Sequence, residues 1–279
     1  MPELPEVETV RRGLVPRMVG HRIVRLTQRR KDLRVPLPAR FASKVEGRTV
    51  QAIDRRAKYL LIRLDDGHTL IVHLGMSGRM TLHDARSATE HPFGRHDHVV
   101  FDMDDGWQVR FNDARRFGLM LLVATERVEK HKAFKGLGPE PLDDSFDGSA
   151  LATRLKGRRT PIKAALLDQK TLVGVGNIYA CEALFMSGIS PRRSAHTVQG
   201  ERADRLAAAI KKVLLRSIGD GGSTLRDHVQ PGGELGYFQT RFKVYDRAGA
   251  VCPTQDCGRI VKRLVQGGRS TFYCARCQR

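Results

Sequence analysis

The run KYLLIRLDDGHTLIVHL, residues 58–74, decides the fold class. Two short apolar segments, KYLLIRL (58–64) and TLIVHL (69–74), flank the Asp-Gly turn DDGH (65–68). Apolar runs of this length, bounded by Asp-Gly, read as two antiparallel strands. Moving outward, RMTL (79–82), HVVFDM (98–103), WQVRFN (107–112) and LMLLV (119–123) repeat the pattern, and DDGW (104–107) supplies a second Asp-Gly turn. Many short strands at close spacing predict an antiparallel sandwich or barrel. Ahead of them MPELPEVETVRRGL (1–14) places Leu4, Val7, Val10 and Leu14 at helical spacing, with prolines in the first turn and Gly20 as a stop.

The strand signal ends near residue 125. The stretch GLGPEPLDDSFDG (136–148) is rich in Gly, Pro and Asp and reads as a linker or boundary. Beyond it the pattern is helical. SALATRLKG (149–157) carries a Ser cap, TPIKAALLDQ (160–169) opens with Thr and Pro, and NIYACEALFMSG (177–188) follows. GERADRLAAAIKKVLLRSIGDGG (200–222) is long, amphipathic and ended by glycines. The tail returns to strand-like residues between cysteine pairs. The expected fold is α+β and multidomain. A sandwich with a long first helix spans 1–130, a linker 131–150, a helical domain 151–241, and a cysteine-rich hairpin 242–279.

The chain of 279 residues carries 49 Lys+Arg against 30 Asp+Glu, a formal net charge of +19. Such a field attracts polyanions, nucleic acid first. No apolar run approaches the ~20 residues that span a bilayer, and the acidic start is unlike a leader peptide. The expectation is an intracellular monomer with no membrane partner.

Four of the five cysteines fall in the tail CPTQDCGRIVKRLVQGGRSTFYCARC (252–277). Four residues separate Cys252 from Cys257 and two separate Cys274 from Cys277, with 16 residues between the pairs. Four thiolates on two turns can converge tetrahedrally on one Zn²⁺, a closed site with no position left for chemistry. IVKRLV and STFYC form a hairpin between them, and a segment this short relies on the metal for folding free energy. Its basic residues, Lys262, Arg263, Arg269, Arg276 and Arg279, become candidates for phosphate contacts. Cys181 stands apart as a small buried apolar residue.

Three further stretches allow either a structural or a functional reading. LVGVGNIYACEAL (172–184) sets Gly174, Gly176 and Asn177 at a helix start. This is a tight turn with an Asn cap, or a phosphate grip made of free N–H groups. The glycine turn IGDGGSTL (218–225) precedes TLRDHV, which reads as helical. In HLGMSGRM (73–80) and NDARRFG (112–118), Met76, Arg115 and Phe117 are ordinary core and loop residues, or a wedge entering a base stack. Pro2, next to Glu3 and Glu6, is a helix-start proline or, once Met1 is removed, a free secondary amine between carboxylates.

Seven blocks bear on these alternatives: PELPEVET, RRAKYLL, HLGMSG, ARRFG, VGVGNIYA, GGSTLRD and the Cys₄ hairpin. Together, and in this order, they resemble the bacterial formamidopyrimidine-DNA glycosylases of the MutM type, nearly end to end. The resemblance implies an N-terminal β-sandwich with a long first helix, a helix–two-turn–helix domain and a zinc finger. It implies a cytoplasmic, nucleoid-associated enzyme whose partner is damaged double-stranded DNA. It excises oxidised purines, 8-oxoguanine opposite cytosine and ring-opened formamidopyrimidines, and cleaves the abasic strand by β,δ-elimination.

By the same resemblance Pro2 is the nucleophile that forms an imine at C1′, and Glu3 is the general acid. Glu6 orients the amine or the site. Lys58 contacts the lesion phosphate and assists β-elimination, and Arg269 grips flanking phosphates and assists δ-elimination. His96, Arg115, Arg158 and Asn177 match DNA-contact positions. Met76, Arg115 and Phe117 fill the vacated stack, Arg115 also pairing with the orphaned cytosine, and Lys163 and the 220–240 loop bear on the flipped base. Cys252, Cys257, Cys274 and Cys277 hold one Zn²⁺. Two departures stand out: the four-residue first cysteine spacer, and Ala114 where proline is commoner. The rival readings are an endonuclease VIII-type enzyme for oxidised pyrimidines and a non-catalytic zinc DNA-binding protein. PELPEVET and ARRFG favour the purine branch.

Overall fold

The computed structural model describes residues 2–84, 92–223, 231–233 and 236–279. Helix α1 (Leu4–Met18) opens the chain. Its start is fixed by a reciprocal capping box between Glu3 and Glu6, with Pro5 in the first turn. The Glu6 carboxylate accepts the Glu3 N–H at 2.8 Å, which satisfies a donor that the helix geometry leaves unpaired. The helix closes at Met18, two residues before the expected glycine stop.

The strands are β1 (Ile23–Gln28), β2 (Val50–Arg56), β3 (Tyr59–Leu64), β4 (His68–His73), β5 (Arg79–Asp84), β6 (Asp97–Met103), β7 (Trp107–Asn112) and β8 (Leu119–Ala124), with a short helix α2 (Phe41–Val45) after β1. They form two antiparallel four-stranded sheets, ordered β1-β6-β7-β5 and β2-β3-β4-β8. One core joins the facing sides. Met80, Val99, Phe101, Val109 and Phe111 come from one sheet, Leu60, Ile62, Leu70, Val72 and Met120 from the other, and Val7, Val10 and Leu14 from α1. This is the expected sandwich. Strands β1 and β2 and helix α2 went unread in the sequence. Bulges at Ile23/Arg25 and Val50/Ala52 break the period of two in both strands.

The second half contains α3 (Gly148–Leu155), α4 (Ile162–Leu167), α5 (Asn177–Met186), α6 (Glu201–Gly219) and the hairpin β9 (Lys262–Gln266) and β10 (Arg269–Tyr273). Asp147, not Ser149, caps α3, accepting the Ala150 N–H at 2.8 Å. Cys181, Val244, Val261 and Phe272 form a small core beneath the hairpin. The hairpin turns on Gly267 and Gly268, both at positive φ (55° and 73°). A two-residue connection of this kind matches the right-handed twist of its strands.

Two compact units emerge: Met1–Lys135 with Asp220–Tyr237, and Gly136–Gly219 with Phe238–Arg279. The sequence reading places 220–237 in the helical domain; its described residues, 220–223, 231–233 and 236–237, group with the sandwich. Ser223 bonds Glu6, and the Leu82 N–H donates to the Pro231 carbonyl at 2.8 Å. The expected helix TLRDHV lies outside the described residues. No helix among the described residues is long and apolar enough to cross a membrane.

Candidate functional site

In the first unit the N-terminal turn of α1 is sequestered: Pro2 is buried, and Glu3 and Glu6 are 3% and 2% exposed. Glu6 is held from both sides. One oxygen accepts the Glu3 N–H, and the other accepts the Ser223 N–H and hydroxyl at 2.9 and 3.0 Å. The sequence marks Ser223 only as part of the block GGSTLRD; its bond to Glu6, 217 residues distant, is not legible there.

Lys58 is likewise buried, in the tight β2–β3 turn after Ala57, a non-glycine residue at φ 55°. The hairpin is tied to α1 through Glu8. Its carboxylate receives Arg11 and Arg12 from the helix at 2.8 and 2.9 Å and Arg55 from β2 at 3.4 Å. Across the β3–β4 pair His73 packs against Tyr59, ring centroids 4.8 Å apart and planes tilted by 54°. Burial, with the Lys58 and Arg34 charges nearby, pushes the His73 pKa down to about 4. The neutral ring accepts the Gly75 N–H on Nδ1 at 2.9 Å and so fixes the start of the Met76 turn.

The structure brings the expected wedge residues together. The backbones of the 75–78 turn and the 115–118 loop touch. A Cβ on Gly75 would collide with the carbonyl of Phe117 and the nitrogen of Gly118, and Gly75 sits at φ 65°, so both space and conformation demand glycine there. Phe117 is 45% exposed, and the Arg115 guanidinium lies 4.8 Å from its ring centre. Met76 is half-buried. An exposed phenylalanine stacked under an arginine is a surface device rather than core. Beneath it Asp113 is wholly buried. It accepts the Ser77 hydroxyl at 2.6 Å and the Gly118 N–H at 2.8 Å.

His96 is half-buried at the end of a clamped loop. Phe93 is sandwiched between Arg29 and Arg110, at 5.3 and 4.8 Å, and the Asp97 carboxylate accepts the Gly94 N–H at 2.8 Å. The His96 carbonyl takes the Asp113 N–H at 3.0 Å, linking this loop to the one bearing Arg115.

In the second unit Asn177 is the first residue of α5, not its cap, which is Gly176. Its amide donates to the Ser270 carbonyl at 2.9 Å, joining the helix start to β10, beside the exposed Arg269. Lys163 donates to the same Ser270 carbonyl at 3.0 Å and to the Thr271 hydroxyl at 2.7 Å, and is fully buried. In this position it supports the hairpin. Arg158 lies elsewhere on this unit, paired with Asp168 at 2.8 Å.

The four tail cysteines converge, all Sγ atoms lying within 4.8 Å of one another. The closer pairs measure 3.8 Å (Cys252–Cys277), 3.6 Å (Cys257–Cys274) and 3.4 Å (Cys257–Cys277). A tetrahedron of Zn–S bonds of ~2.3 Å requires sulfur separations of about 3.8 Å. The site fits one structural zinc ion. Its long first spacer turns at Asp256, at φ 57°, and Gly258 just after Cys257 is at φ 63°; Arg276 donates to the Asp256 and Cys257 carbonyls at 3.2 and 2.7 Å.

The sandwich that buries its own amino-terminal residues beside two carboxylates stands in one chain with a helical unit and a hairpin whose four cysteines fit zinc. Residues 1–120 match the family model of the formamidopyrimidine-DNA glycosylase N-terminal domain, residues 137–229 that of its H2TH domain, and residues 249–279 that of the zinc finger found in FPG and IleRS. The chain is 55% identical to the formamidopyrimidine-DNA glycosylase of Dinoroseobacter shibae and 52% to that of Beijerinckia indica, covering all of each chain. Among solved structures it resembles MutM of Thermus thermophilus, with a TM-score of 0.86 and 40% identity over 99% of this chain and 98% of that one. It also resembles the Lactococcus lactis protein bound to DNA containing N7-benzyl-Fapy-dG, with a TM-score of 0.88 and 33% identity over 99% of both chains. This chain belongs to the formamidopyrimidine-DNA glycosylase family.

Proposed function

We propose that this chain removes oxidised purines from duplex DNA, 8-oxoguanine opposite cytosine and formamidopyrimidines, and then cuts the strand through an imine on Pro2. The observation that carries the reading is the buried Pro2–Glu3 start of α1, with Glu6 fixed by Ser223.

With Met1 removed, the Pro2 nitrogen is a terminal amine. Such amines have a reference pKa near 8, against about 10.4 for lysine, so more of the group is free base at neutral pH. Burial and the positive end of α1 favour the neutral form further, while Glu3 and Glu6 oppose that shift. The nitrogen lone pair attacks C1′ of the damaged nucleotide, and the glycosidic bond breaks with the base as leaving group. Glu3 protonates the ring oxygen O4′, the ring opens, and the iminium of Pro2 remains. Loss of a C2′ proton expels the 3′ phosphate, and a second elimination expels the 5′ phosphate. Lys58 serves the first elimination at the lesion phosphate. Arg269 clamps the phosphate leaving in the second. As a guanidinium it keeps its protons, so its role is charge neutralisation. Extrusion of the base costs a few kcal/mol, offset by Met76, Arg115 and Phe117 entering the gap. His96, Arg158 and Asn177 hold the backbone.

The Lactococcus protein has been solved with Fapy-dG DNA and with abasic-site DNA, which supports both steps. It has also been solved with DNA containing an oxidised pyrimidine, so a pyrimidine lesion belongs in the assay as the rival substrate. The test is borohydride trapping on a duplex with 8-oxoguanine opposite cytosine. A covalent adduct on Pro2 is expected, weakened in Pro2→Gly and abolished when Met1 is retained. An adduct mapped by mass spectrometry to an internal lysine refutes the mechanism.

A further inference from the structure

We propose that Ser77 and Asp113 are positioning residues for opposite-base selection. They lock the Met76 turn and the Arg115–Phe117 loop into one body before DNA arrives. The inference rests on the wedge role proposed above for Met76, Arg115 and Phe117.

The two segments are separated by three strands in sequence but share one buried polar knot. Asp113 is 0% exposed and Ser77 5%. One Asp113 oxygen accepts the Ser77 hydroxyl at 2.6 Å, the short distance of a charge-assisted bond. The other accepts the Gly118 N–H at 2.8 Å. The Ser77 oxygen in turn accepts the Arg115 N–H at 3.1 Å. The Asp113 carbonyl takes the Arg116 N–H at 3.3 Å and lies 2.8 Å from His98 Nε2. Three of the links fall beside wedge side chains: Ser77 follows Met76, its oxygen holds the Arg115 N–H, and Gly118 follows Phe117. Among the described residues, none of these hydrogen bonds is to a wedge side chain. The knot fixes where their Cα atoms stand while leaving the side chains outside, Phe117 at 45% exposure.

A buried carboxylate is costly unless fully bonded, and an exposed loop has no need of one for solubility. Its effect is preorganisation: a loop already in its bound form loses less freedom on binding. The residue that benefits most is Arg115, whose backbone the Ser77 oxygen holds and whose guanidinium must meet one particular base.

The experiment uses the full-length, zinc-loaded protein and single-turnover excision of 8-oxoguanine opposite cytosine and opposite adenine. Ser77→Ala removes the central oxygen and is expected to lower the cytosine-over-adenine rate ratio by about tenfold, the worth of one buried bond. Asp113→Asn is expected to lower it similarly. In an Arg115→Ala background Ser77→Ala is expected to leave the already reduced ratio unchanged, because the serine acts through the arginine. A purely structural serine would slow both substrates alike and leave the ratio intact, and that result overturns the proposal. If Ser77→Ala fails to fold, Ser77→Cys, of similar size but a weaker acceptor, is read the same way. If Arg115→Ala itself leaves the ratio intact, the wedge role falls; if it collapses the ratio while the Ser77 and Asp113 variants do not, only the positioning role falls.

Discussion

Glu6 grips Ser223 across 217 residues of sequence, accepting both its N–H and its hydroxyl on one oxygen at 2.9 and 3.0 Å. The other oxygen holds the Glu3 N–H. The carboxylate thus fastens Ser223 to the very start of the chain. Glu6→Gln keeps an acceptor for only one side and turns an N–H₂ toward a donor on the other. A buried donor left unpaired costs about 1–3 kcal/mol. Glu6→Gln should lower the thermal midpoint and slow single-turnover excision by tenfold or more, whereas Ser223→Ala should slow it less. Equal midpoints for Glu6→Gln and the parent would contradict the two-sided role.

The turn that presents Arg115 runs from Asp113 to Arg116, closed by the Arg116 N–H to the Asp113 carbonyl at 3.3 Å. Ala114 occupies the second position, where proline is favoured. It is exposed, and its N–H makes no hydrogen bond to the described residues. Ala114→Pro should therefore stabilise the fold by ~0.4–1 kcal/mol, by restricting the unfolded chain. Denaturant unfolding with an unchanged m-value is the check; destabilisation would mean the loop needs a different φ here.

His73 makes stability depend on pH. Its folded pKa of about 4 lies below the ordinary 6.5, so between these values the unfolded chain binds a proton that the native state does not. Stability then rises with pH through that window and is flat above it. On acidification from pH 7 to 4 the loss is on the order of 3 kcal/mol from this group at most, reduced by its partial exposure. His73→Gln, which can still accept the Gly75 N–H, should flatten the curve between pH 4 and 6.5. An unchanged curve assigns the acid sensitivity elsewhere.

Phosphate contacts predict a salt law. The logarithm of DNA affinity should fall linearly with the logarithm of salt, and Arg269→Ala should reduce the slope by about one unit if it meets one phosphate. Filter binding or anisotropy between 50 and 300 mM salt, on the order of the range where release is measurable, decides it. An unaltered slope removes Arg269 from the backbone contacts.

Much of this was legible in the sequence because the signals were local. Asp-Gly turns and apolar runs marked six of the eight strands of the sandwich, and paired cysteines marked the metal site without any long-range information. What escaped was set by contacts distant in sequence. Strands β1 and β2 carry bulges and charged residues, so their burial comes from the opposing sheet. Ser223, Ser77 and Asp113 are common residues in common turns, and only the fold reveals that each completes a bond begun far away. Lys163 shows the converse. The family resemblance alone brought it forward, and the fold adds that it lies beneath the hairpin, bonded to Ser270 and Thr271.

The fifth cysteine gives a simple gauge of integrity. Cys181 is 1% exposed, shut beneath the hairpin among Val244, Val261 and Phe272, and the other four sulfurs are claimed by the ion. The intact protein should accordingly be silent toward a thiol-alkylating dye. Labels acquired one after another on treatment with a chelator would then date the order of events: the tail opening first, and the fifth sulfur only when the layer underneath gives way.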